Sequence, residues 1–180
     1  MNELSVEIRL ERPGDEAAIR EVTSLAFESS EFGHNGEAGL VERLRAESAV
    51  SISLVAECAN RIVGHILFSP ATIERSSWRC EGLGLAPLSV LPEFQRQGIG
   101  SRLVTAGLEA ATDRSNEFVI VLGNPDYYSR FGFTPASDSN VGCEFEGIPD
   151  EAFLIQWLGQ TEPRNERGLA KYHPVFSSLG

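Results

Sequence analysis

From Ser51 to Leu91 the chain strings together four strand-like runs with no helical segment among them: Ser51 to Cys58, Arg61 to Ser69, Thr72 to Arg79 and Leu83 to Leu91. The first two are separated only by Ala59-Asn60, a tight hairpin signal. Consecutive strands with such short connections pair with their neighbours as a meander. A sheet is therefore the expected centre of the fold, and everything else has to pack against it.

The flanks supply the partners. Ser5 to Leu10 alternates, with Val6, Ile8 and Leu10 on one side, and reads as a first strand. Pro13-Gly14-Asp15 gives a turn and a helix N-cap, and Ile19, Val22, Leu25 and Ala26 then recur at helical spacing. The polar stretch Glu28 to Gly36 is a loop, and Leu40, Val41 and Leu44 mark a second short helix. Beyond Leu91, Pro92 stops the strand, and a glycine-bearing turn leads into a helix over Gly100 to Ala111 with Leu103, Val104, Leu108 and Ala111 on one face. Phe118 to Leu122 is a strand buried on both faces, Pro125 to Phe131 is a short helix ending at Gly132, and Ala152 to Leu158 is another strand. Thr134 to Gly147 reads as loop, and Tyr172 to Phe176 as a last short strand or an ordered tail. At 180 residues, with no repeat, linker or low-complexity tract, the chain is expected to form a single domain over 1–180. Its class is α/β or α+β, a mixed sheet with helices on both faces.

A net charge of −11 argues against nucleic acid and anionic membranes as partners, because both are held by clustered Lys and Arg. Cys58, Cys80 and Cys143 are an odd set without CxxC spacing, which fits a reducing cytoplasmic compartment. Met1 to Leu10 lacks the cationic and apolar parts of a secretory leader, and no apolar run reaches the ~18 residues of a spanning helix. His34, His65 and His173 are dispersed and without cysteine neighbours, so no metal site is expected. Neither a Gly-x-Ser-x-Gly nor a P-loop is present. Trp78 and Trp157 fall on strand patterns and should pack or line an interface, which leaves a homodimer open.

The chemistry concentrates in Leu88-Ser89-Val90-Leu91-Pro92-Glu93-Phe94-Gln95-Arg96-Gln97-Gly98-Ile99-Gly100-Ser101. Glycines at 98 and 100 let backbone approach a ligand, and the helix beginning there offers unpaired N–H groups and a positive dipole end. Arg96 and Arg102 add charge, and a pyrophosphate is the ligand such a strand, turn and helix suits. A nicotinamide site fits poorly: its third glycine position is Leu103, and the segment does not open a βαβ unit.

Gln95, Gly98 and Gly100 match the Gln/Arg-x-x-Gly-x-Gly/Ala signature of the GNAT superfamily of N-acetyltransferases, which the chain resembles. Tyr128-Ser129-Arg130-Phe131-Gly132-Phe133 is similar to that family's Tyr-x-x-x-Gly-Phe, in the expected order and at a plausible separation. The run Val121 to Phe133 with Tyr172-His173-Pro174 looks like the YhbS-type bacterial group, whose substrates are mostly unassigned.

The resemblance implies a GNAT fold: a central, mostly antiparallel sheet of about six or seven strands, splayed between the fourth and fifth core strands. It implies acetyl-CoA as cosubstrate, with the backbone of Leu88, Ser89 and Val90 along pantetheine and that of Gln95, Arg96, Gln97, Gly98, Ile99, Gly100 and Ser101 at the pyrophosphate. It implies an acetyl transfer to a primary amine in a ternary complex, with Tyr128 as the acid that protonates the departing thiolate. The acceptor, a small molecule or a peptide, is expected to be cationic. No motif fixes the base: Glu28, Glu31, Glu37, Glu81 and His34 are candidates, and the ordinary reading of each is a solvated surface group. The alternative is an acyl-CoA-binding or sensing module without turnover.

Overall fold

The meander contains three strands where the sequence pattern suggests four. The computed structural model describes residues 5–28, 37–159 and 166–179. In it β1 (Val6–Leu10), α1 (Glu16–Glu28) and α2 (Glu37–Ala46) precede β2 (Ile52–Cys58), β3 (Arg61–Glu74) and β4 (Arg79–Val90). β3 absorbs two expected runs because Pro70 does not break it. Pro70 stands between Phe68, paired with β2, and Thr72, paired with a later strand, so its missing N–H interrupts neither ladder. The turn lies at Arg75 to Trp78, closed by Arg75 N–H to Trp78 O at 2.9 Å, several residues before the break expected between Arg79 and Leu83. The hairpin at Ala59-Asn60 is as expected, both residues taking positive φ (48° and 62°) as a type I′ turn requires.

Then come α3 (Ile99–Asp113), β5 (Phe118–Leu122), α4 (Pro125–Tyr128), β6 (Thr134–Pro135), β7 (Val141–Cys143), β8 (Phe153–Trp157) and β9 (Gly168–Lys171). The strand count among the described residues is nine, because β6, β7 and β9 lie in segments read as loop or left unread. Two to four residues are too few for an alternation to register in sequence. Tyr172 to Phe176 is no strand: β9 ends at Lys171 and Pro174–Leu179 is a 3-10 turn. The sheet is mixed and mostly antiparallel, with parallel pairs at β4 with β5 and β7 with β9.

The chain forms two compact units, and β3, β4 and α3 each contribute to both. The first contains β1, α1, α2, β2, the first half of β3, the second half of β4 and most of α3. Its strand order is β1-β2-β3-β4. Ile19, Val22, Leu40, Leu44, Val55 and Ile66 are fully or almost fully buried there. α3 lies close on β2 and β3: a side chain at Gly64 would meet Leu103, Ala56 and Ile99 at 3.1–3.3 Å, and one at Gly107 would enter the Phe68 ring at 2.4 Å. The second unit orders its strands β6-β8-β5-β4-β3, with β9 and then β7 beyond β3. Phe118, Val119, Ile120, Leu154 and Ile155 form its buried centre, as the unbroken apolar run predicts.

A polar chain crosses the core of the first unit. Arg45 on α2 pairs with Glu11 at 2.6 Å, Ser53 donates to Glu11, and Ser53 Oγ lies 2.9 Å from Nε2 of the fully buried His65. One hydroxyl proton cannot serve both neighbours. With it given to Glu11, His65 carries its proton on Nε2, and Nδ1 has no hydrogen-bond partner among the described residues. Protonating Nδ1 would therefore bury an unsatisfied donor and a charge. Burial, followed by the nearby Arg45 cation, pulls the His65 pKa down to about 3. Folding thus prefers the neutral ring: this contribution is full above the ordinary histidine value near 6.5 and is lost as pH falls below it. Lowering pH from 6.5 to 4.5 should cost about 2 kcal/mol through this residue. Urea unfolding across that range should show His65→Gln losing less stability than the parent protein.

Candidate functional site

The strand, turn and helix centred on Gly98 belong to the first unit. Along the end of β4, Leu88 and Val90 are half-buried on one face, while Ser89 faces the other way and is buried. Ser89 Oγ lies 3.4 Å from Thr23 Oγ1 on α1 and 3.5 Å from His65 O. Leu91 N–H donates to Val63 O at 2.9 Å, which fixes where the strand gives way to the turn. The parallel register of β4 with β5 consists of Leu83 opposite Val119 and Gly84 opposite Ile120 only. β4 runs six residues beyond Gly84 without a β5 partner, which is the expected splay.

Pro92–Phe94 forms one 3-10 turn, and the signature glutamine then braces the loop: Gln95 Nε2 donates to Val90 O at 3.0 Å. Gln97 Nε2 does the same to Glu93 O at 3.1 Å. Their side chains hold the loop rather than projecting at a ligand. Arg96 and Gly98 both take left-handed φ (59° and 81°), and Gly98 has open space where a side chain would begin. Gly98 O accepts the Arg102 N–H at 3.0 Å, so α3 starts here with the N–H groups of Ile99, Gly100 and Ser101 lacking intrahelical acceptors. No acidic residue sits in the first turn, and Gln95 to Gly98 are exposed. The result is an exposed turn leading into a positively polarised helix start in an acidic protein. Gly100 lies in the first helical turn without a left-handed φ. The Arg102 guanidinium donates to Val6 O at 2.8 Å, which ties the start of α3 to β1.

Tyr128 belongs to the second unit. Asn124 caps α4 through Oδ1 to Asp126 N–H at 2.8 Å, Pro125 begins it, and Gly132 at φ 91° closes the 3-10 turn that follows. Tyr128 is buried, its ring over Gly123 and edge-on to Tyr127 and Phe133 at 5.0 and 5.5 Å. Burial, and secondarily the neighbouring Tyr127, holds its phenol above the ordinary tyrosine range. At neutral pH it is therefore protonated.

The candidate carboxylates separate. Glu81 is exposed and paired with Arg79. Glu31 and His34 lie outside the described residues. Glu28 and Glu37 line a cavity of about 270 Å3 with Thr23, Ser24, Phe27 and Ala38. Thr23 went unread in the sequence, although a hydroxyl on the stripe of Ile19, Val22 and Ala26 was a visible anomaly. Among the described residues no cluster of His, Cys, Asp and Glu could hold a metal ion, and no helix is long and apolar enough to cross a membrane.

Residues 50–135 match the family model described as acetyltransferase (GNAT) domain. The chain is 31% identical over 175 residues to the uncharacterized N-acetyltransferase YhbS of Escherichia coli, spanning 97% of this chain and 98% of that one. The crystal structure of that protein with CoA superposes with a TM-score of 0.87 over 100% of this chain and 96% of its own. A GNAT family acetyltransferase from Brucella melitensis, crystallised with acetyl-CoA, is 34% identical with a TM-score of 0.78, covering 97% and 99%.

A methyl group added at Gly123 would come within 2.5 Å of the Tyr128 ring. Gly123→Ala should therefore displace the ring and cost about 1–3 kcal/mol. Ultraviolet difference titration should find one tyrosine ionising at lower pH than in the parent, because the displaced ring gains solvent.

Proposed function

The chain belongs to the GNAT acetyltransferase family, and from that premise we propose that it transfers the acetyl group of acetyl-CoA to a primary amine by direct attack in a ternary complex. The observation that carries this reading is the junction of a strand end without a β5 partner with an exposed turn and a polarised helix start. β4 continues past its last β5 partner and delivers the chain into the Gly98 turn. The fit to the cosubstrate rests on the open space at Gly98 and the donors beyond it. The backbone N–H groups of Arg96 to Ser101, with Gln95 bracing them, hold the pyrophosphate. The backbone of Leu88, Ser89 and Val90 lies along pantetheine, where an N–H polarises the thioester carbonyl. The family match over 50–135 draws on both units, which supports treating 1–180 as one catalytic domain.

In the reaction the amine nitrogen bonds to the acetyl carbon, the carbon–sulfur bond breaks, and the sulfur takes a proton. Tyr128 supplies that proton, its phenol being protonated at neutral pH. The acceptor enters as an ammonium ion, loses one proton to solvent before it attacks, and sheds a second as the amide forms, which restores the Tyr128 phenol. The cavity between α1 and α2 suits a cationic acceptor, because Glu28 and Glu37 face it and Phe27 offers an apolar wall.

Purified protein with acetyl-CoA and a panel of primary amines should release thiol only when an accepted amine is present. Coenzyme A binding with no thiol release from any amine would instead support a sensing module. Tyr128→Phe should lower kcat about 100-fold with little change in KM for acetyl-CoA, and an unchanged kcat would remove it as the acid. Because the protein carries a net −11, KM for a cationic acceptor should rise with ionic strength, measured between low salt and about 0.5 M.

A further inference from the structure

β1 ends the strand order of the first unit, and the backbone groups on its outer edge are already partly taken. Its register with β2 runs from Val6 opposite Cys58 to Leu10 opposite Leu54, and the pair that follows is bonded: Glu11 N–H donates to Ser53 O at 3.0 Å. Bonded and unbonded pairs alternate in an antiparallel ladder, so Glu7 and Arg9 turn their N–H and C=O groups toward β2. Val6, Ile8 and Leu10 turn theirs outward, to an edge that pairs with no strand among the described residues. Two of these three carbonyls carry a guanidinium. Val6 O accepts from Arg102 Nη2 at 2.8 Å, and Leu10 O accepts from Arg9 Nη1 at 3.0 Å. Arg9 is held in place by Asp15 and Glu57, whereas Arg102 is exposed and reaches across from the first turn of α3.

We propose that Arg102, together with Arg9, closes the edge of β1 against strand addition by a second copy of the chain. The strand is otherwise suited to such pairing. Val6, Ile8 and Leu10 alternate with polar residues, Leu10 is 57% exposed, and two copies laid antiparallel about Ile8 set Val6 opposite Leu10 and Glu7 opposite Arg9. That arrangement draws on all three outward carbonyls. Ile8 O would take the Ile8 N–H of the other copy, Val6 O its Leu10 N–H and Leu10 O its Val6 N–H. The arginines occupy the last two acceptors. An unpaired edge carbonyl is a template for another strand, and a guanidinium laid across it withdraws the acceptor and sets a cation in the path. Because the pairing is two-fold, each arginine blocks it twice.

The test is sedimentation velocity of the parent and its variants over a roughly hundredfold range of protein concentration. Arg102→Met keeps the apolar stem and loses the donors, and its self-association should be tighter than the parent's by about tenfold or more. The same change makes the negative net charge larger, so charge repulsion works against that result. Arg102→Lys, which keeps a cationic donor, should stay within about threefold of the parent. Adding Ile8→Pro to Arg102→Met should restore the parental behaviour. The N–H it removes faces outward, so the β1–β2 ladder is kept while the central pair of the assembly is lost. Arg102→Ala carries the same prediction should the methionine variant lose its native circular dichroism. An Arg102 variant that folds and associates no more than the parent overturns the proposal. So does association that Ile8→Pro leaves unchanged, which puts the contact on another surface.

Discussion

The close approach of α3 to β3 is the constraint on which the first unit depends. Gly64 and Gly107 carry no side chain at the two places where helix and sheet would collide, with Leu103, Ile99 and Phe68 filling the space. A helix held that near the sheet begins where the strand beside it ends, so the Gly98 turn has only a few residues in which to reverse direction. Left-handed φ at Arg96 and Gly98 follows from that compression. The N–H groups without intrahelical acceptors at the start of α3 are thus a consequence of packing well away from the turn itself.

The second dependence is on incomplete pairing. β5 is as apolar and regular a strand as the chain contains, and it pairs with β8 along its whole length. With β4 it shares two registered residues. A sheet that leaves strand backbone unpaired forgoes hydrogen bonds worth about 1 kcal/mol each, a cost that a binding site recovers when a ligand supplies the missing partners. On the acetyl-CoA reading the pantetheine amides do so.

Charge is distributed in the same economical way. Arg9, Arg20, Arg45, Arg61, Arg79 and Lys171 are matched to carboxylates: Arg9 joins Asp15 to Glu57 at 2.7 and 2.6 Å, and Arg45 reaches Glu11. The Arg9 guanidinium holds the Asp15 carboxyl below its ordinary range. On the acetyl-CoA reading, a phosphate ligand is met by backbone dipoles and the arginines outside these pairs. A strongly acidic protein can bind a pyrophosphate for this reason, since a helix terminus carries positive polarity without a basic side chain.

Local chemistry in the sequence determined a good deal. Alternation and apolar runs located β1, β2, β5, β8 and the long helices, because burial of one face leaves a periodic trace. Ala59-Asn60, Gly98 and Gly132 announced their turns, since few residues accept positive φ. The two motifs identified the family, and with it the kind of reaction. Only the tertiary structure decided that Pro70 lies inside a strand, that two- and three-residue strands complete the sheet, and that Gln95 and Arg102 serve the backbone. It alone brought Thr23 to Ser89 and set Arg130 beside the Tyr127 and Phe131 rings. Those outcomes rest on partners distant in sequence or on side-chain direction, and neither leaves a period, a spacing or a composition for a linear reading to find.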